Sequence, residues 1–232
     1  MNKVAIFGKT EQKILQIRRE IKRHGFVFST TNPDLVISYG GDGTFLVAER
    51  AYPGVPKILV RDSTICKKCH DLPLSHILQR IKMGKYFLNE HPKLAARIPG
   101  KEDEILSTND FVLRNIAPTH AIRFTLEING KKQNKGNEYI GDGVVIATPF
   151  GSTAYYNSIT RKTFTKGIGI AFNNLTTPTK HLVLSEQALL RIKLTRGDAL
   201  FVADNDPTTY TLHEGDVINI KKSTHVARII QV

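Results

Sequence analysis

Asp34-Leu35-Val36-Ile37-Ser38-Tyr39-Gly40-Gly41-Asp42-Gly43-Thr44-Phe45-Leu46 runs an apolar, β-branched stretch into three glycines, one carboxylate and the start of a helical pattern. A buried strand that turns sharply into a helix has this composition: β-branched residues fill the pleat, and glycine makes the bend. The same rhythm extends to either side. Val4 to Phe7 reads as a short strand. Thr10 stands where a helix cap belongs, and Ile14, Ile17 and Ile21 fall on one helical face before Gly25 ends the element. Phe26-Val27-Phe28 offers a further strand. Phe45 to Ala51 is helical until Pro53-Gly54, Lys57 to Val60 is another strand, and Leu74, Ile77, Leu78 and Ile81 mark a helix stopped by Gly84. Strand–helix alternation of this kind predicts a parallel sheet covered by helices.

The character changes near residue 95. Ile122, Phe124, Leu126 and Ile128 alternate with polar positions, as along a half-buried strand, and Asn129-Gly130 follows as a hairpin turn. Gly143 to Thr148, Leu182 to Leu184, Leu189 to Leu194, Ala199 to Ala203 and Val217 to Ile220 continue the strand-rich pattern. The expected fold is an α/β N-terminal domain with a parallel sheet over residues 1–95. A mainly-β, β-sandwich-like C-terminal domain follows over residues 96–232.

The chain has 232 residues and a net charge of +12, from 33 Lys and Arg against 21 Asp and Glu. That surplus attracts polyanions such as nucleotides, polyphosphate or nucleic acid. The basic residues are dispersed, and no recognition-helix, RNP or zinc-finger pattern accompanies them, so the charge supports an anionic ligand without choosing among ligands; neither nucleic acid nor a membrane is the expected partner. No apolar run approaches the ~20 residues that span a bilayer, and the first residues read as a strand, which makes the cytoplasm the expected location. The two cysteines sit together in Cys66-Lys67-Lys68-Cys69. Two reduced thiols in a loop are the simplest reading, with a metal or redox role as alternatives.

Three glycines at the strand-to-helix bend give access to positive φ and let phosphate oxygens approach main-chain N–H groups, with the helix start near Thr44 adding partial positive charge. The loop lacks the P-loop lysine and carries Asp42 at its centre, so it is no Walker motif. A carboxylate in that position suits a group that accepts a proton from an attacking hydroxyl or helps hold a magnesium ion. A tight turn with a capping aspartate is the purely structural alternative.

A second segment bears on the acceptor. Gly141-Asp142-Gly143-Val144-Val145-Ile146-Ala147-Thr148-Pro149-Phe150-Gly151-Ser152-Thr153-Ala154-Tyr155 is a strand leading through a Pro/Gly turn into a short helix. Such a turn exposes hydroxyls, amides and an aromatic face, which suits a purine and its sugar. A capped helix start, with Ser152 or Thr153 as the cap, explains the same residues structurally.

The Gly40–Thr44 string resembles the signature shared by NAD kinases, diacylglycerol and sphingosine kinases and, more loosely, phosphofructokinases. The Thr148–Tyr155 octet resembles the second signature of NAD kinases, with Phe150 in place of the usual Thr. Thr108-Asn109-Asp110 is similar to that family's Asn-Glu or Asn-Asp pair. The resemblance to NAD kinases implies phosphoryl transfer from ATP or polyphosphate to NAD, giving NADP, with Mg2+ accompanying the donor. It implies that Asp42 orients the ribose 2′-hydroxyl and accepts its proton, while Gly40, Gly41, Gly43 and Thr44 form the phosphate loop. Asn109 and Thr153, with the backbone at Ala154, would recognise adenine. Asp110 would hold ribose hydroxyls, Tyr155 would pack on the nucleotide, and Ser158 would face the same pocket. Asp142 would lie near the nicotinamide end, close to a subunit interface in a homodimer or homotetramer.

The match departs from the family pattern in several places. Val60 to Cys66 stands where an Asn-x-Gly-x-Leu-Gly-Phe segment is common, and Asn173 to His181 replaces a Pro-His and Arg-Pro stretch, with Lys180 in place of the arginine. The glycine pair expected after the octet is missing around Thr160-Arg161, and the chain closes on a strand where the family has a helix. Two other functions compete: a catalytically silent NAD-binding protein, favoured by these losses, and a diacylglycerol-type lipid kinase, favoured by the shared glycine turn and the basic charge.

Overall fold

Apolar strands with amphipathic helices between them have one economical solution, and the first part of the chain takes it. The structure, a computed structural model, describes residues 1–8, 10–62 and 66–232. Two units emerge: residues 1–91 with Val226–Val232, and residues 92–225. The first unit contains β1 (Lys3–Gly8), α1 (Glu11–Arg23), β2 (Val27–Phe28), β3 (Leu35–Gly40), α2 (Asp42–Ala51), β4 (Lys57–Arg61) and α3 (Leu74–Lys82). Its strands lie parallel in the order β2-β1-β3-β4. Leu35, Val36 and Ile37 of β3 are fully buried, as expected of a strand covered on both faces. Ile17 and Ile21 of α1 and Ile77, Leu78 and Ile81 of α3 pack with them into one apolar cluster. Thr10 holds the cap position of α1 without a side-chain capping bond; its carbonyl alone accepts from the Ile14 N–H at 3.2 Å.

The first unit also buries an ion pair. Glu49 of α2 and Lys57 of β4 are 2% and 0% exposed and bonded to each other; Glu49 also accepts from the Gly54 N–H at 2.9 Å, and Lys57 donates to the Tyr52 carbonyl. Charges this deep persist only when their hydrogen-bonding capacity is met, and these partners meet it.

Two strands pass from one unit into the other: β5 (Phe87–Arg97) and β16 (Val217–Gln231). The passage at His91–Pro92 falls a few residues before the expected change near 95. The chain then returns, because Ile229 pairs parallel to Lys57 of β4 and Ile230 joins the apolar cluster of the first unit. The expected second domain ran to residue 232 because the β-rich alternation continues unbroken into this closing segment.

The second unit is mainly β. It holds β6 (Ile105–Ser107), β7 (Asp110–Asn115), β8 (Ile122–Ile128), β9 (Lys131–Lys132), β10 (Tyr139–Ala147), α4 (Tyr155–Thr160), β11 (Ile168–Leu175), β12 (Leu182–Leu184), β13 (Leu190–Arg196), β14 (Ala199–Ala203) and β15 (Tyr210–Leu212). The order β15-β14-β7-β10-β8-β13 is antiparallel throughout, and β11 and β12 extend from β10. Ile122, Phe124 and Leu126 face one core, as their alternation predicts, with Tyr139, Phe172 and Phe201 among their neighbours. Asn129 and Gly130 take positive φ (50° and 76°) in the turn between β8 and β9, the geometry of a two-residue hairpin.

Candidate active site

In the first unit the glycine turn joins β3 to α2. The helix begins at Asp42, two residues earlier than the sequence suggests, so Asp42 occupies its first turn with Gly41 as the cap residue. A carboxylate there is favoured by the helix dipole. None of Gly40, Gly41 and Gly43 adopts positive φ: Gly41 is extended at −123°, and Gly43 lies within the helix. The requirement at Gly40 is instead close approach. A Cβ on Gly40 would stand 2.2 Å from Thr44 Oγ1 and 2.9 Å from Thr44 Cβ, so the threonine side chain occupies the space a larger residue would need. The Thr44 N–H donates to the Gly41 carbonyl at 3.0 Å, and the Asp62 N–H to that of Gly40 at 3.0 Å, which fixes the bend against the end of β4.

The cysteine segment packs against this bend. Cys66 and Cys69 form a disulfide, so neither is a free thiol and the expectation of two reduced cysteines does not hold. Cys66 Sγ lies 3.3 Å from Asp42 Oδ1 and, being half of a disulfide, has no proton to give. The Lys67 N–H donates to Asp42 Oδ2 at 3.4 Å. Burial pushes the Lys68 ammonium below its ordinary range; the Asp42 carboxylate opposes that shift and Lys67 adds to it. Both carboxylate oxygens of Asp42 therefore face a basic, covalently closed loop. Of the divergent stretch from Val60 to Cys66, residues 63–65 lie outside the described residues.

In the second unit the expected nucleotide-binding residues share one strand system. Asn109 immediately precedes β7 and Asp110 opens it, paired with Ala147 at the end of β10. The octet folds back onto them. The Thr148 N–H donates to the Asn109 carbonyl at 2.8 Å, Thr148 Oγ1 to the Thr108 carbonyl at 2.6 Å, and the Gly151 N–H to Thr148 Oγ1 at 3.0 Å. A Cβ on Gly151 would meet the Asn109 carbonyl oxygen at 2.1 Å, so no other residue fits between the two segments. Thr148 and Gly151 of the octet thus act as mortar between the two segments. Phe150, the departure from the family octet, is buried beside them.

Thr153 ends a short 3-10 turn, Ala154 precedes α4, and Tyr155 and Ser158 lie on the exposed side of that helix. Neither Ser152 nor Thr153 caps the helix: the cap residue is Ala154, and Ser152 Oγ donates to the Phe164 carbonyl at 3.0 Å. Ser158 Oγ donates to the Tyr155 carbonyl at 2.7 Å, and Asn173 Nδ2 donates to Tyr155 Oη at 3.3 Å. Asp142 sits on β10, held by Asn174 Nδ2 at 3.0 Å and Asn115 Nδ2 at 3.4 Å. Five residue steps along β10, about 17 Å of strand, separate Asp142 from Ala147 beside Asp110. Strand alternation sets Asp142 and Asp110 on opposite faces of the sheet, Asp142 with Val144 and Ile146 and Asp110 with Val112, so the structure does not bring these two carboxylates together.

Asp110 is 5% exposed. Burial, and after it the neighbouring Asp204 carboxylate, pushes its pKa up to about 8. Asp204 was not among the residues the sequence singled out. It follows β14 in a polar Asp-Asn-Asp-Pro turn that resembles many surface loops, and its partners are nearly a hundred positions away.

The fold is that of the NAD kinases. A crystal structure of an NAD kinase from Archaeoglobus fulgidus in complex with ATP superposes with a TM-score of 0.82, covering 99% of this chain and 93% of that one at 20% identity. Yeast NADH kinase complexed with NADH gives a TM-score of 0.85, covering 100% of this chain and 84% of that one at 17% identity. In sequence, an NAD kinase of Koribacter versatilis is 29% identical over 217 residues, spanning 87% of this chain and 74% of the relative. The profile of the ATP-NAD kinase C-terminal domain matches residues 108–232, more than half of the chain. The chain belongs to the NAD kinase family.

Proposed function

We propose that this protein phosphorylates the 2′-hydroxyl of the adenosine ribose of NAD, giving NADP. The observation that carries the reading is the joining of the Asn109-Asp110 pair to the Thr148–Tyr155 octet through shared backbone bonds, a device that fixes two recognition motifs as one surface. Asn109 and Thr153, with the Ala154 backbone, recognise adenine. Asp110 holds ribose hydroxyls, Tyr155 and Ser158 border the nucleotide, and Asp142 takes the nicotinamide end. Asp42 accepts the proton of the attacking hydroxyl, and Gly40, Gly41, Gly43 and Thr44 receive the donor phosphates at the start of α2. Catalysis rests on position and charge, with the basic surroundings of Asp42 offsetting negative charge that grows on the transferred group.

The donor is ATP or polyphosphate, accompanied by Mg2+. Mg2+ would be held chiefly by the donor phosphates and water, which leaves Asp42 as the proton acceptor. When bound, it neutralises charge on the donor phosphates. A cytoplasmic homodimer or homotetramer is the expected state, and among the described residues no helix is long and apolar enough to cross a membrane. Incubating the protein with NAD, Mg2+ and each donor tests the reading through NADP formation. Diacylglycerol phosphorylation without NADP would replace it with the lipid-kinase alternative.

A further inference from the structure

We infer that Asp204 is a positioning residue for dinucleotide binding: its carboxylate sets the backbone of the Asn109-Asp110 pair from a turn remote in sequence. The inference rests on the reading of Asn109 and Asp110 as nucleotide ligands. Its structural basis is a set of bonds on one side chain. Asp204 Oδ1 accepts from Ser107 Oγ at 2.7 Å, from the Asn109 N–H at 2.6 Å and from the Asp110 N–H at 3.2 Å. Oδ2 accepts from the Thr108 N–H at 2.9 Å, which also lies 3.1 Å from Oδ1. The Asp204 N–H donates in return to the Asp110 carbonyl at 2.9 Å.

Three consecutive N–H groups converging on one anion form a concave nest, the arrangement by which backbone binds phosphate or carboxylate. Here the anion is internal and permanent. Charge-assisted bonds of this kind are about twice as strong as neutral ones, so the nest holds Ser107 to Asp110 firmly in a bend that presents Asn109. Thr148 donates to the Thr108 and Asn109 carbonyls on the other side of the same bend, and the Gly151 N–H donates to Thr148 Oγ1. Asp204 thereby grips the N–H side while the octet grips the carbonyl side. The backbone of Asn109 has no freedom left, which removes an ordering cost from ligand binding.

The same carboxylate has an electrostatic effect. Its charge lies close enough to Asp110 to disfavour ionisation there, in addition to burial. Asp110 therefore carries a proton near neutral pH and can donate as well as accept toward a hydroxyl-rich ligand.

Asp204→Asn and Asp204→Glu provide the test, each checked for folding by circular dichroism. In Asp204→Asn the negative charge is gone, and an NH2 group faces N–H donors. The expected result is a rise in the KM and Kd for NAD of about tenfold or more, with kcat within about threefold of wild type. In carboxyl-carbon NMR titrations the Asp110 pKa, pushed up to about 8 by burial and then by Asp204, should move down in the Asn variant and stay above the ordinary carboxylate range. Asp204→Glu keeps the charge but misplaces it, so NAD binding weakens while Asp110 still titrates high. Should Asp204→Asn fail to fold, the Glu variant and the wild-type Asp110 titration decide the matter. Unchanged NAD affinity in either folded variant, or an Asp110 titration that ignores the loss of the charge, overturns the proposal. Wild-type protein that binds NAD but makes no NADP would sink the kinase reading alone, because the Kd and NMR arms remain informative.

Discussion

Replacing Gly151 by alanine tests the joint between the two recognition motifs at its tightest point. The added Cβ would lie 2.1 Å from the Asn109 carbonyl oxygen, 2.4 Å from its carbonyl carbon and 2.6 Å from its Cα. All three are backbone atoms, so no rotamer change relieves the contact. Real Cβ contacts essentially never fall below 3.0 Å, so the two segments must separate by about 0.9 Å or more. Asn109 cannot retreat freely, because its N–H is bonded to Asp204 at 2.6 Å and its carbonyl accepts from Thr148 at 2.8 Å. Overpacking on this scale costs roughly 1–3 kcal/mol of stability. A displacement near 1 Å between groups that bind one ligand lowers activity by about 10²-fold. Steady-state kinetics with varied NAD and calorimetric NAD binding should show kcat/KM down by about that factor, in a variant that still folds by circular dichroism. Wild-type kcat/KM together with wild-type stability would show that the octet and the Asn-Asp pair do not meet as described, and would refute the reasoning.

Three further outcomes follow from the same structure. Asp110 holds a proton when folded up to a pH of about 8 but releases it near 3.8 when unfolded, so it stabilises the fold below that window and the stability is lost as pH rises through it. Urea denaturation of wild type should weaken by up to about 1.4 kcal/mol per pH unit in this range, and Asp110→Asn should remove that slope; an equal slope in both would assign it to other groups. Lys57→Met strands the buried Glu49 charge and should destabilise the first unit by about 3–5 kcal/mol, whereas adding Glu49→Leu should restore most of the loss; no recovery in the double variant would contradict the pairing. Reduction of Cys66–Cys69 opens a loop with a sequence separation of only 3, so denaturation with and without reductant should differ by no more than about 2 kcal/mol, and a larger loss would mean that the disulfide supports more than its own loop.

Much of this was legible in the sequence, and the reasons are local. The strand of Leu35 to Tyr39 carries its burial in its own β-branched composition, and the faces of α1 and α3 follow from helical spacing. Alternation from Ile122 to Ile128 with Asn129-Gly130 gives a strand and its turn together. Less legible was why particular glycines are present. Gly40 and Gly151 look like hinges in one dimension, yet each answers to a neighbour's atoms, Thr44 in one case and Asn109 in the other. Asp204 was invisible for a related reason: its partners lie 94 to 97 positions away, and its own neighbourhood reads as an ordinary polar turn. The closing strand was legible as a strand, but its return to the first unit was not, because β16 runs without a break from one unit into the other and parallel pairing with β4 leaves no local signal. The state of the cysteines could not be read from spacing, since Cys-x-x-Cys serves thiols, metals and disulfides alike.

The central claim, that this chain transfers a phosphoryl group to the ribose of NAD with Asp42 as proton acceptor, is tested most directly by one comparison. Wild-type protein and Asp42→Asn are incubated with NAD, Mg2+ and either ATP or polyphosphate, and NADP is quantified alongside NAD binding. NADP is expected from the wild type with at least one donor, with turnover lost and NAD binding retained in the variant. Tight NAD binding by a wild type that yields no NADP with any donor, or normal turnover by Asp42→Asn, would contradict it.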